Sequence, residues 1–140
     1  MGKFNPTRWL AASAAAGILM WLLEGLASGL YMADMEAAMK AHNLSMEMTP
    51  ALIAFSLLPS FLAGATMMFF YAMCLPRLGA GTKSAMIVAC VYWVGGYLLS
   101  LTGYQMMGLF SPGLLSLWGA IGLIEMNLAS VLGARIYRDA

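Results

Sequence analysis

A chain of 140 residues, of which 62% are hydrophobic and only 9% are charged, cannot cover its own surface with polar groups. Soluble domains carry about 25% charged residues, so this composition excludes a soluble globular domain and indicates a protein surrounded by lipid. The formal net charge of +1 excludes a nucleic-acid partner, because nothing in the chain could neutralise a run of phosphates.

Four stretches are apolar enough to cross a bilayer, whose hydrocarbon core requires about 20 residues of helix. Thr49 and Pro50 are typical of the start of the second stretch, and the Ser-Pro-Gly sequence at 111–113 is typical of a turn that precedes the fourth. The chain is therefore predicted to be an all-α membrane protein, a four-helix bundle forming one domain over residues 1–140. The predicted spans are about 9–32, 51–75, 84–107 and 114–136.

Basic residues predict the orientation of the chain, because short cytoplasmic loops are enriched in Lys and Arg. Six of the seven fall before the first predicted span, between the second and third, or at the end of the fourth. The seventh, Lys40, lies among acidic residues in segment 33–50. We therefore predict that both termini are cytoplasmic and that this segment lies outside. A cleaved signal peptide ending near Gly29 is a weaker alternative, because Glu24 and a long apolar run argue against it.

The outer segment carries the only histidine of the chain together with methionines at helical spacing. These residues are Met32, Met35, Met39 and His42. The spacing places them on one face of a short helix over residues 33–42, which we predict to lie at the membrane interface. Methionine is a common apolar filler, which favours an apolar face packed on the bilayer or the bundle. Thioethers and imidazole are also soft ligands, so extracytoplasmic handling of Cu(I) or Ag(I) is an alternative.

Two glutamates, Glu24 and Glu125, interrupt the first and the fourth predicted spans. At 1.5 Å per residue both lie near the middle of the membrane, within about 7 Å of each other in depth. A carboxyl group at that depth normally faces the interior of a bundle, and no Lys, Arg or His stands at a matching depth. We therefore predict a buried pair of carboxyl groups that are protonated, hydrogen-bonded, or reached by water or a cation.

The predicted site adds neutral residues to this pair and would bind or transport a cation or a small polar ligand. It consists of Glu24, Glu125, Ser28, Asn127 and Tyr104. The main alternative is a structural or accessory membrane subunit in which protonated acids specify the packing. An enzyme is not expected, because His42 lies outside the bundle and no nucleophile has a base at its own depth. No cofactor is predicted.

Small residues at regular spacing let membrane helices approach closely, and each predicted span contains such a stripe. The stripes are Gly25 and Gly29; Ser56, Ser60 and Gly64; Gly96, Ser100 and Gly103; and Ala129 and Gly133. Pro59 is expected to bend the second span. Four short helices enclose little volume, so a homo-oligomer or a partner membrane subunit is also predicted.

A resemblance to known proteins rests on four stretches: Ala37–Lys40, Pro76–Lys83, Gly108–Phe110, and the stretch from Trp118 through Glu125 to Arg138. They resemble an uncharacterised family of small bacterial proteins with four transmembrane helices. The resemblance implies a multi-pass protein of the bacterial cytoplasmic membrane, with a glutamate in the last span that corresponds to Glu125. It implies no catalytic residues.

Overall fold

A computed structural model describes residues 4–45 and 47–138, and seven α-helices account for most of that part of the chain. The helices are α1 (Pro6–Ala27), α2 (Met32–Ala41), α3 (Pro50–Phe55), α4 (Leu57–Leu78), α5 (Thr82–Tyr92), α6 (Leu99–Met106) and α7 (Pro112–Arg138). A 3₁₀ turn, Ser28–Leu30, follows α1, and a π-helical segment, Trp93–Leu98, joins α5 to α6.

These elements form four helices long and apolar enough to cross a membrane, which confirms the number of spans predicted from the sequence. The four are Pro6–Leu30, Pro50–Leu78, Thr82–Met106 and Pro112–Tyr137. No end differs from its predicted position by more than about three residues, a difference within the usual uncertainty of helix boundaries. They are referred to below as the first, second, third and fourth spans.

The starts of the second and fourth spans follow from their local sequence. The hydroxyl of Thr49 accepts a hydrogen bond from the backbone N–H of Leu52, and that of Ser111 accepts one from Leu114, both at 3.2 Å. A proline follows each capping residue and needs no hydrogen-bond acceptor in the first turn. Gly108, with φ of +68°, supplies the left-handed conformation in the turn before the fourth span. Both predicted helix starts are confirmed.

The second span is interrupted at Ser56, between α3 and α4. Pro59 has no backbone N–H, and its ring conflicts with the carbonyl group four residues earlier, which belongs to Phe55. The interruption therefore falls one turn before the proline, at the position where its effect on the helix is expected.

The first and second spans cross at backbone contact. A Cβ atom on Gly17 would lie 2.7 Å from the Cα of Phe61, and one on Gly64 would lie 2.7 Å from the carbonyl oxygen of Ser13. Only glycine permits this approach. The prediction that Gly64 allows close packing is therefore confirmed, and its partner in the first span is Gly17, which is not part of the stripe predicted there.

The other predicted stripes divide into one that packs and two that do not. A Cβ on Gly133 would meet the side chain of Met68 and the backbone of the first span. By contrast, nothing lies within 4 Å of the Cβ positions of Gly25, Gly29, Gly96 and Gly103. These glycines do not mediate contacts within one copy of the chain.

Packing is much denser in one half of the bundle than in the other. The half that carries both termini, here called the terminal half, has a core of fully buried residues. They are Ala12, Ala16, Met67, Met68, Tyr71, Ala85, Ala89 and Ala129. Tyr71 and Tyr137 stack edge to face there, and the backbone N–H of Asn5 donates to the Tyr137 hydroxyl at 3.3 Å. The opposite half, next to α2, is more open, because the second and third spans pack together mainly through α4 and α5.

The segment after the first span forms the short helix that the sequence predicts, as α2. Its methionines at 32, 35 and 39 are half-buried and His42 is exposed. Lys40 and Glu36 form an ion pair at 2.7 Å one turn apart on the exposed face, and the Lys40 ammonium lowers the pKa of the Glu36 carboxyl. The arrangement agrees with an amphipathic helix, whose position at the membrane interface stays a prediction.

Candidate ligand site around Glu24 and Glu125

The two glutamates of the membrane spans converge in the half of the bundle next to α2. Glu24 lies about 9 Å before the end of the first span, and Glu125 about 20 Å after the start of the fourth, both measured from the α2 end. Side chains of a helix lean toward its N-terminus, and these two helices run in opposite directions. The carboxyl groups therefore lean toward each other and come within hydrogen-bonding reach.

Only one of the two glutamate side chains is buried. Glu125 is 6% exposed, whereas Glu24 is only half-buried. The prediction of two buried glutamates is therefore wrong for Glu24. The reason is that Glu24 lies near the end of the first span, where its neighbours Leu22 and Leu26 are already exposed and the packed core has ended.

Tyr31 supplies the one hydrogen bond that Glu24 receives from a neutral side chain in the described part of the protein. The 3₁₀ turn after α1 brings this tyrosine back over the carboxyl group, where its hydroxyl donates to Oε1 of Glu24. Tyr31 is itself buried and stacks edge to face on Trp118 at 5.5 Å, which packs on Phe110 at 4.9 Å. This aromatic cluster lies between the carboxyl pair and the α2 end of the bundle.

Glu125 has a different environment, because its Oε1 atom receives no hydrogen bond from any described residue. Leaving a buried polar atom without a partner costs about 1–3 kcal/mol. The carboxyl group of Glu24 lies within hydrogen-bonding reach, but it can donate a hydrogen bond only when it carries a proton. Ionisable groups left in this state inside a membrane span are typical of functional sites rather than of packing.

Both carboxyl groups line a cavity of about 450 Å³ to which all four spans contribute. Its lining includes two methionines, Met20 and Met126, and two tyrosines, Tyr92 and Tyr97. The ring of Tyr97 lies against Gly122, where a Cβ atom would be 2.7 Å from it. Because Gly122 has no side chain, the Tyr97 ring can pack against the fourth span and line the cavity.

The rim of the cavity lies between the second and third spans. Pro59, Gly96 and Ser100 line the cavity and are exposed, so the opening is lateral. Gly96 and Tyr97 belong to the π-helical segment, a widened helical turn that is frequently found at functional sites. The second and third spans pack together through α4 and α5 and separate beyond α5, and this separation forms the cleft.

The remaining predicted site residues use their polar groups elsewhere. The Ser28 hydroxyl donates to the carbonyl of Gly25 at 2.7 Å, and the Asn127 amide donates to that of Leu123 at 2.8 Å. Tyr104 is exposed and stacks on the edge of the aromatic cluster. The structure thus brings Glu24 and Glu125 together, and the other three predicted residues are not among those that line the cavity.

Two tyrosines of the site are not in the predicted set of five residues, although each carries a signal in the sequence. Tyr31 follows Glu24 by seven residues, which is two helical turns and therefore the same face. Tyr97 directly follows the pair Gly95 and Gly96, a sequence typical of a local change in helix geometry.

The predicted soft-metal residues are not gathered into one group. Met32 and Met39 line a second cavity, of about 280 Å³, together with Met48, whereas Met35 and His42 are not among the residues that line it. Over residues 4–45 and 47–138, no cluster of three or more His, Cys, Asp or Glu side chains could hold a metal ion. The Cu(I) alternative stays a prediction.

The chain finds no match among protein-family models, curated proteins or solved structures. No family is therefore identified, and the resemblance to four-helix bacterial proteins is supported only in its general form. Four long apolar helices packed as a bundle define a multi-pass membrane protein in contact with the lipid bilayer. Within that class, this chain is a small four-span bundle with a laterally open cavity that ends at a pair of carboxyl groups.

Proposed function

We propose that this protein binds a cation at Glu24 and Glu125, inside the membrane, and holds a proton there when the cation is absent. The observation that carries the proposal is the Oε1 atom of Glu125, which is buried, receives no hydrogen bond from the described residues and belongs to a side chain that lines the cavity. A cation at this position would supply the missing interaction. Burying an ionisable group costs at least about 2.5 kcal/mol in a membrane, so its retention is typical of function.

The charge of the expected ligand follows from the surroundings of the pair. The ion pair found in the described part of the chain joins Lys40 to Glu36, outside the spans. The basic residues Arg77, Lys83 and Arg135 belong to the terminal half, away from the cavity. Two carboxyl groups within hydrogen-bonding reach repel each other when both are ionised. A shared proton or a bound cation relieves this repulsion. The proposed function of the site is the exchange of that proton for a cation.

The proposal is tested by measuring proton release from the purified protein in weakly buffered detergent solution. Sodium, tetramethylammonium and tetraphenylphosphonium represent an inorganic, a hydrophilic organic and a lipophilic organic cation. We expect at least one of them to release roughly one proton per protein, as one charge replaces another. Glu24→Gln and Glu125→Gln should abolish the release, whereas Glu36→Gln, outside the spans, should preserve it. If none of the three cations releases a proton from the unaltered protein, the proposed function is wrong.

The hydrogen bond from Tyr31 gives a second test of the same site. A hydrogen bond to a charged group contributes about 1.5–3 kcal/mol, and Glu24 must be charged to hold a cation. We therefore expect Tyr31→Phe to lower the affinity for the cation about tenfold, measured as the concentration that gives half-maximal proton release. Tyr104→Phe is the matched control, because Tyr104 stacks on the same aromatic cluster without reaching a carboxyl group. Equal effects of the two substitutions would contradict the role assigned to Tyr31.

A further inference from the structure

We infer that the ligand is a lipophilic organic cation that enters the cavity sideways, from the hydrocarbon layer, through the cleft between the second and third spans. This inference rests on the proposed function of the carboxyl pair and adds the chemical class of the ligand and its route. The structural features that carry it are the depth of the rim, the closure of the cavity toward the terminal half with its cover of aromatic rings at the α2 end, and the chemistry of its walls.

The rim of the cavity lies at the depth of the membrane interior. Pro59 follows the start of the second span by nine residues, and Gly96 precedes the end of the third by ten. Both therefore lie about 14–15 Å from the α2 end of their spans, on opposite sides of the cleft. This is half the thickness of a hydrocarbon core of about 30 Å. A molecule reaching the rim comes from lipid rather than from water.

The cavity is closed toward the terminal half and is covered at the α2 end by residues of the first and fourth spans. Toward the terminal half, the side chains of Met67, Met68 and Tyr71 are fully buried. Toward the α2 end, Tyr31 and Trp118 stack over the carboxyl pair. The exposed residues that line the cavity are at the lateral rim, where Gly96 has no side chain to obstruct passage.

The walls fit a bulky apolar cation better than a small hydrated one. Tyrosine rings attract cations through their faces, and methionine side chains adapt to irregular apolar shapes. A volume of about 450 Å³ is within the range of about 300–1,000 Å³ that is typical of sites for small organic molecules. A bare metal cation would instead require about six oxygen ligands. The carboxyl groups of Glu24 and Glu125 then hold the positive charge in a chamber whose other lining residues are mainly apolar or aromatic.

Tetraphenylphosphonium is the probe for this class, because it is permanently charged, bulky and soluble in lipid. Its binding to the full chain in lipid nanodiscs is measured by equilibrium dialysis, beside triphenylphosphine oxide, a neutral molecule with similar rings. We expect saturable binding of the cation, at least tenfold tighter than that of the neutral molecule. Binding of the cation should release a proton in the assay described above.

The route is tested with two leucine substitutions in the same helical turn. Gly96 lines the cavity and Gly95 does not, while both are exposed and neither has another atom within 4 Å of its Cβ position. Gly96→Leu should narrow the rim and reduce the binding of tetraphenylphosphonium at least tenfold. Gly95→Leu should leave binding unchanged, which separates obstruction of the cleft from a general effect of leucine on the π-helical segment.

The possible results separate this inference from the proposed function. If sodium or tetramethylammonium releases a proton and tetraphenylphosphonium does not, the carboxyl pair binds cations but the inference about the ligand class is wrong. If the neutral molecule binds as tightly as the cation, it is also wrong. Equal binding by the Gly95→Leu and Gly96→Leu variants would overturn the lateral route. Failure of all three cations to release a proton would overturn the proposed function itself.

Discussion

Replacing Gly64 with valine should destabilise the bundle by about 3 kcal/mol, the upper part of the range for overpacked cores. The Cβ of the new side chain would lie 2.7 Å from the carbonyl oxygen of Ser13 and 2.8 Å from the backbone nitrogen of Gly17. Both are backbone atoms, so no side chain can rotate away to relieve the overlap. The first and second spans must move apart, and the hydrogen bond from the Trp9 indole to the carbonyl of Ala65 should be lost with them.

The measurement is thermal or denaturant unfolding in detergent, followed by loss of the near-ultraviolet signal of the tryptophans. Gly103→Val is the matched control, because Gly103 is also within a helix and nothing lies within 4 Å of its Cβ position. Both substitutions carry the same helix-propensity difference between glycine and valine, so the contrast reports packing alone. A loss of stability that is equal for the two variants would show that the first and second spans do not cross at backbone contact.

Replacing Glu125 with methionine should stabilise the bundle by about 1–2 kcal/mol and abolish proton release by cations. Buried charged or polar groups exchanged for apolar side chains of similar volume often leave a protein equally or more stable, because the cost of desolvation disappears. Glu125 is 6% exposed and has an oxygen without a hydrogen-bond donor among the described residues. The substitution therefore removes few favourable interactions. Methionine already forms the wall on either side, at Met20 and Met126.

This substitution distinguishes a ligand site from a structural subunit. If the carboxyl pair specified the packing of the helices, Glu125→Met should weaken the fold, and the unfolding midpoint should fall. A gain in stability together with a loss of function is instead typical of residues retained for binding. Glu36→Met, on the exposed face of α2, serves as the control for the general effect of exchanging a carboxylate for a thioether.

Much of the fold could be predicted from the sequence, because a bilayer imposes simple requirements on length and polarity. The four spans and the caps at Thr49 and Ser111 follow from apolar runs bounded by capping residues. Which glycines form contacts could not be predicted. Gly17 and Gly25 both lie on the first span, and only the one at which the second span crosses forms a contact. The position of that crossing depends on the tertiary packing and cannot be deduced from residue spacing along one helix.

The same distinction applies to the candidate site. The convergence of the two glutamates could be expected, because an isolated carboxyl group in lipid has no better position than the interior of the bundle. Their partners could not. Ser28 and Asn127 are near the acids in sequence, but each donates to a carbonyl one turn back in its own helix. Serine and asparagine side chains readily form such local bonds. Tyr31 has a longer side chain and follows the 3₁₀ turn that ends the first span. Its hydroxyl therefore reaches the carboxyl group of Glu24.

The π-helical segment also determines which side of α6 faces the neighbouring spans. An α-helix rotates by about 100° per residue, and a π-helical turn absorbs one residue more than an α-helical turn. Beyond Leu98, the third span therefore presents a different side to its neighbours than an uninterrupted helix of the same sequence would. Rewinding the segment as an ordinary α-helix with all its residues would turn α6 by roughly a quarter of a revolution, whereas removing one residue would restore ordinary pitch and leave the direction of α6 unchanged. The widened turn thus holds one extra residue without changing the side that α6 presents to the other spans.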